Sequence, residues 1–124
     1  MKINYLLIDQ DLLAAARSGD VHAQYNIGVM FYEGKTVLRN DLEAAKWFGM
    51  AADQGDAQAQ FNLGLMFYLG RGVPRNDRYA YELFALAAAQ GDEKAQQGMQ
   101  SILNEADEAT REALLRDFPP AQVN

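Results

Sequence analysis

Cysteine is absent from the chain, and histidine and tryptophan occur once each. Without cysteine there is no disulfide framework, no thiolate metal site and no cysteine nucleophile. Serine is nearly as scarce, limited to Ser18 and Ser101. Cations are outnumbered: 11 Lys and Arg stand against 17 Asp and Glu, a formal charge of −6. Nucleic-acid binders cluster cations against phosphate, so this balance argues against DNA or RNA as a partner. Excess carboxylate commonly serves solubility, and it suits a neutral or basic partner better than an acidic one. Long hydrophobic runs are missing too. The N-terminal stretch MKINYLLIDQ holds four consecutive apolar residues, Tyr5–Ile8, short of the roughly 7 of a signal-peptide core. No segment approaches the roughly 18 apolar residues of a membrane span. The expectation is a cytosolic chain with no membrane partner, unless a leader was removed ahead of it.

What is present is a repeat. Apolar residues make up 49% and charged residues 23% of 124 residues, enough for one globular domain. Sliding the chain by 36 residues aligns Asp20–Gly55 with Asp56–Gly91 without a gap, and 19 positions are identical. A fixed period of this size marks a stacked supersecondary unit.

Each copy holds two helical stripes. Ala23, Ile27, Met30 and Phe31 recur as Ala59, Leu63, Met66 and Phe67, one face of a helix. Ala44, Trp47, Phe48, Ala51 and Ala52 recur as Ala80, Leu83, Phe84, Ala87 and Ala88. Asp20, Asp56, Asn40 and Asn76 stand at N-cap positions, and Gly34, Gly70, Gly55 and Gly91 at stops. Val37 and Val73 are the shared apolar residues of the intervening loops. Each copy is therefore a hairpin of an A and a B helix, and copies stack because one hairpin cannot bury its apolar face alone.

The frame runs outward. Asn4, Ile8, Leu12 and Ala16 hold B-helix phase, and Asp92, Ala95, Met99 and Leu103 hold A-helix phase. The expected class is all-α, an α/α solenoid forming one domain. Its parts are a B-type helix in 1–19, repeats at 20–55 and 56–91, and a capping partial repeat at 92–118. Seven helices are expected, at 5–17, 21–33, 41–53, 57–69, 77–89, 93–104 and 107–117. Lys94, Gln97, Gly98, Gln100 and Ser101 make the C-terminal end look finished. The crowd of Tyr5, Leu6, Leu7, Ile8, Leu12 and Leu13 points to a weak homodimer through the first helix.

The repeated residues resemble the Sel1-like repeat, a relative of the tetratricopeptide repeat. The first copy carries Ala23, Ile27, Gly28, Gly34, Val37, Asp41, Ala44, Trp47, Ala51, Ala52 and Gly55 at the family's positions. The second carries Ala59, Leu63, Gly64, Gly70, Gly72, Val73, Asp77, Ala80, Ala87, Ala88 and Gly91. Phe31 and Phe67 replace a tyrosine, Thr36 a glycine and Leu83 a tryptophan. The resemblance implies an adaptor or scaffold holding a protein or peptide, in a family with many bacterial members. Some small members neutralise a toxin or effector. Cysteine-rich members linked to β-lactam binding are disulfide-stapled, unlike this chain.

Catalytic chemistry finds little material. Ser18 and His22 could pair as nucleophile and base for a small hydrolase, but Gly19 and Asp20 between them place the two on different helices. No phosphate loop, HExxH or SxxK motif occurs. Neither a cofactor nor a metal is expected. A binding module is the favoured reading over an enzyme.

Helical phase points the partner to the concave wall of the A helices. His22, Tyr25, Val29, Tyr32 and Glu33 lie opposite the core stripe, with Asn26 on the flank. Gln58, Phe61, Leu65, Tyr68, Leu69 and Asn62 are their counterparts, and Lys94 joins them from the third A helix. Aromatic and aliphatic residues rimmed by polar groups suit an interaction site, though packing between A helices would account for them as well. The resemblance implies a peptide-backbone clamp at Asn26 and Asn62, since an amide both donates and accepts.

Overall fold

The structure, a computed structural model, describes residues 5–119. A 3-10 turn at Tyr5–Leu7 leads into α1 (Gln10–Arg17), α2 (Val21–Glu33), α3 (Asp41–Asp53) and α4 (Ala57–Leu69). Then come α5 (Asp77–Ala88), α6 (Glu93–Glu105) and α7 (Glu108–Asp117), and no strand occurs among the described residues. The all-α solenoid read from the repeat is the fold found: α2, α4 and α6 are A helices, and α1, α3 and α5 are B helices.

The caps follow the sequence. Asp20, Asp56 and Asp92 accept from the backbone N–H of Ala23, Ala59 and Ala95 at 2.9, 2.8 and 3.0 Å. Asn40 and Asn76 do the same for Glu43 and Tyr79. Gly34 and Gly70 end their helices at φ 71° and 67°, a conformation that a Cβ disfavours.

The expected first helix at 5–17 is corrected. It is a turn followed by a helix beginning at Gln10. Asp9 caps that helix by accepting from Leu12 N–H at 2.9 Å. The Gln10 amide donates to the carbonyl of Ile8 at 2.9 Å, closing the turn before it. Asn4, expected to hold the B-helix phase, lies outside the described residues. Ile8 and Leu13 enter the core, whereas Leu6 and Leu7 are 83% and 55% exposed. Any self-association at this end therefore falls to the turn, because a charge at Leu13 would break the core.

Packing turns on two phenylalanines. Phe48 on α3 is fully buried against Gly28, where a Cβ would come within 2.6 Å of the ring. Phe84 on α5 lies against Gly64 of α4 on one edge and Gly98 of α6 on the other. Gly98 was expected on the flank of the groove; it is instead half-buried, the point where α6 meets α5. Val37 is buried and Val73 half-buried, both packed in the first core.

A second repeated device is polar. Gln24 and Gln60 are 5% and 4% exposed. Gln24 Nε2 donates to the Ala16 carbonyl at 3.0 Å, and its Oε1 accepts from Gln54 Nε2 at 2.7 Å. Gln54 also donates to the Gly19 carbonyl. Gln60 and Gln90 repeat the arrangement on Ala52 and Gly55. These amides add a second donor to the Ala16 and Ala52 carbonyls, which also accept from Gly19 and Gly55 N–H, and supply one to the Gly19 and Gly55 carbonyls. Gln24→Leu is expected to cost about 1–3 kcal/mol, since it removes two hydrogen bonds at a buried position and leaves the Gln54 amide without its Oε1 acceptor. Urea unfolding measures this, and a loss below the resolution of the method would remove the ladder from the stabilising elements. Exposed Gln54→Ala should cost less.

At the C-terminal end Leu114 is buried and Arg111 donates to the carbonyls of Leu103 and Ala106. Arg78 pairs with Asp117 at 2.8 Å, and Tyr81 meets the Phe118 ring. α7 covers this end incompletely. A recess of about 550 Å³ remains between Tyr81, Ala85, Ala88, Met99, Leu103 and Leu115.

Candidate partner-binding face

The A helices place Tyr25, Gln58, Phe61, Asn62, Asp92, Glu93 and Lys94 around one depression of about 410 Å³. It lies where the N-terminal halves of α2, α4 and α6 run side by side. Tyr25 and Phe61 are half-buried because each packs on the B-helix phenylalanine of its own repeat. Their ring centroids stand 5.8 Å from Phe48 and 5.6 Å from Phe84. The Asn62 amide is half-buried and forms no side-chain hydrogen bond among the described residues. Asp92 is committed to capping α6, while Glu93 and Lys94 are exposed without an ion-pair partner among those residues. The depression thus offers apolar ring surface, an amide with donor and acceptor, and one free charge of each sign.

The other expected groove residues are placed differently. His22 and Asn26 are exposed beside the depression, and Val29 and Leu65 are half-buried. At the loop end the tyrosines are occupied. The Arg71 guanidinium lies 3.7 Å above the Tyr32 ring and donates to the Tyr32 carbonyl at 2.9 Å. Tyr68 donates to Glu105, which pushes its pKa up, and Arg75 sits over its ring at 5.4 Å. Glu33 pairs with Lys35 at 3.3 Å, and Leu69 is exposed. Asp92, Glu93 and Arg71 are the residues that sequence reasoning missed. Asp92 had shown only A-helix phase.

Arg71 also reaches Asp41. Its Nε lies 3.1 Å from Asp41 Oδ1, a contact with ion-pair distance but outside hydrogen-bond geometry. Arg39 clamps the same carboxylate through Nε at 3.1 Å and Nη2 at 2.9 Å. The Arg39 hydrogen bonds, with Arg71 beside them, hold the Asp41 pKa down to about 2. A depressed carboxylate stabilises the fold above its unfolded pKa, and that contribution is lost as pH falls through the folded value. We expect about 1 kcal/mol, discounted for solvent screening, to disappear between about pH 4 and pH 2. Asp41→Asn should flatten the stability profile in that window, measured by denaturant midpoints at stepped pH. An unchanged slope would remove the Arg39–Asp41–Arg71 cluster as its source.

Ser18 caps the end of α1 and His22 sits in the first turn of α2; no hydrogen bond joins them. No group of three or more His, Cys, Asp or Glu suited to a metal occurs among the described residues. None of their helices is long and apolar enough to cross a membrane.

Tandem hairpins of 36 residues, glycine-ended A helices and phenylalanine-bearing B helices narrow the family, and comparison decides it. The Sel1 repeat pattern matches residues 21–56 and 57–92, over half of the chain. The chain belongs to the Sel1 repeat family. A putative Sel1-like repeat-containing protein, L18, of Acanthamoeba polyphaga mimivirus is 41% identical over 44 residues, 36% of this chain and 8% of that protein. Among solved structures, a Sel1 repeat protein from Oxalobacter formigenes is 40% identical with a TM-score of 0.72, covering 73% of this chain and 26% of that one. The protective antigen c5321 of uropathogenic Escherichia coli is 34% identical with a TM-score of 0.76, over 86% and 23%. Cysteine-rich protein B of Helicobacter pylori is 27% identical with a TM-score of 0.68, over 77% and 71%. The chain spans about a quarter or less of the viral relative and of the first two structures. Sel1 repeat proteins are in general protein-interaction modules.

Proposed function

We propose that these Sel1 repeats form an adaptor that holds an extended segment of a partner protein across the depression between α2, α4 and α6. The observation carrying this reading is the unengaged Asn62 amide beside the half-buried Tyr25 and Phe61 rings. Rings supply contact area at small entropic cost, and an amide pairs with peptide backbone whatever its sequence. The absence of cysteine suits a cytosolic setting. A toxin or effector is one partner such a surface would serve, and the same residues would carry that role.

Selection of peptides on the purified protein tests the reading. Asn62→Ala and Lys94→Glu, both at the rim, should weaken the selected peptides about tenfold each while the circular dichroism spectrum stays unchanged. Peptides indifferent to both variants would move the site elsewhere. A turnover lost in His22→Ala would favour an enzyme instead. Weak self-association through the exposed N-terminal turn is a separate part of the proposal. Sedimentation at rising concentration should show it diminished in Leu7→Glu, and a wild-type protein that stays monomeric throughout would end it.

A further inference from the structure

We propose that the crevice between α1 and α3 binds a carboxylate carried on a small apolar body. The crevice encloses about 280 Å³ and is lined by Tyr5, Arg17, Gln24, Lys46, Trp47 and Met50, with Ala16 behind them. Two features single it out. Its charged lining is wholly cationic, Arg17 from α1 and Lys46 from α3. The repeat scaffold does not demand those charges, because one period onward the same positions are Asp53 and Glu82. The second feature is Trp47: 3% exposed, with its Nε1–H buried and without a hydrogen-bond partner. A buried donor left unpaired in a folded chain calls for an acceptor.

The surroundings agree. The Arg17 guanidinium lies 5.4 Å from the Tyr5 ring centroid, and Lys46 Nζ lies 5.7 Å from that of Trp47. Both cations are thus held over the mouth by ring faces, and Arg17 has no ion-pair partner among the described residues. The nearby carboxylate, Glu43, is absent from the lining and already engaged: Tyr5 donates to it and Lys46 stands 3.9 Å away. A carboxylate entering between Arg17 and Lys46 meets two cations, and its apolar portion meets Trp47, Tyr5 and Met50. The Tyr5 hydroxyl donates to Glu43, and the Tyr5 and Trp47 rings meet edge to face at 6.4 Å in the crevice lining. The volume lies near the lower end of ligand pockets, suited to about ten non-hydrogen atoms. Such a group could arrive as a free small acid or as an acidic side chain beside an apolar one on a partner. The chemistry is shared.

Trp47 is the single tryptophan, so it reports the site directly. Titration of the protein with 4-phenylbutyrate should give a saturable change in tryptophan emission and a shift of the Trp47 indole proton in NMR. The matched alcohol 4-phenylbutanol and amine 4-phenylbutylamine should bind at least about tenfold more weakly, and added salt should weaken the acid. Arg17→Gln/Lys46→Gln, folded by circular dichroism, should lose about tenfold in affinity for the acid. The acetylated amide dipeptide Phe-Glu separates the sources: tighter binding than the free acid assigns a partner's side chain, and weaker binding a free small molecule. The proposal is overturned if neither emission nor the indole proton responds saturably to the acid. It is equally overturned if the amine binds as well as the acid, or if the double variant binds undiminished.

Discussion

Phe84→Ala should unfold at a much lower denaturant concentration than the parent, with about 3–5 kcal/mol lost. The ring is 1% exposed and is touched from two neighbouring helices: by Gly64 and the Phe61 ring on α4, and by Gly98 on α6. Its removal opens a cavity bounded by glycine backbones, which have no side chains to collapse inward. That places the cost at the upper end for an aromatic truncation. Urea midpoints with an unchanged slope would report a pure stability loss. A loss under about 1 kcal/mol would show that the stack re-forms without its wedge.

Gly64→Leu should be the next most damaging, at about 1–3 kcal/mol. A Cβ on Gly64 would stand 2.8 Å from Phe84 Cε1 and 3.3 Å from Leu83 Cβ, so even the first added carbon must push on a buried ring. The sharper measurement is the pair. In the Phe84→Ala background the leucine enters the vacated space, so the double variant should be more stable than the sum of the singles predicts. A coupling energy of about 1 kcal/mol or more is expected for residues in contact. Strict additivity would place the glycine's role elsewhere, and an unshifted melting temperature for Gly64→Leu alone would refute the close approach itself.

Much of the architecture is legible because it is written locally. Asp20, Asp56 and Asp92 are caps that act three residues away, and period-36 identity places every A and B helix of the repeats. Gly28 and Gly64 recur with the repeat, and each proves to be a point of close approach. Gly98 was not legible in this way, since the frame sets it at the position of Asn26 and Asn62, and nothing local says that α5 would press there. The first helix failed on one short-range detail, the cap at Asp9. The candidate site fared less evenly. Helical phase gave the direction of Tyr25, Phe61, Asn62 and Lys94. It could not show that Tyr32 and Tyr68 would be covered, because Arg71 and Glu105 come from 39 and 37 residues downstream. Long side chains choose partners in space, across the seam between repeats. Buried Glu43 under Tyr5 was invisible on the same grounds.

The glutamine ladder has two rungs and then stops. Gln96 stands one period after Gln60, yet it is exposed and donates to no helix-end carbonyl among the described residues. The α1–α2 and α3–α4 seams are therefore stapled by buried amides, while the α5–α6 seam is held by apolar packing, Phe84 and Tyr81 against Ala95 and Ile102. Beyond that seam lie α6 and α7, with Asp92, Glu93 and Lys94. Displacing that wall of the partner-binding depression breaks no buried amide bond, whereas displacing either of the other two breaks one.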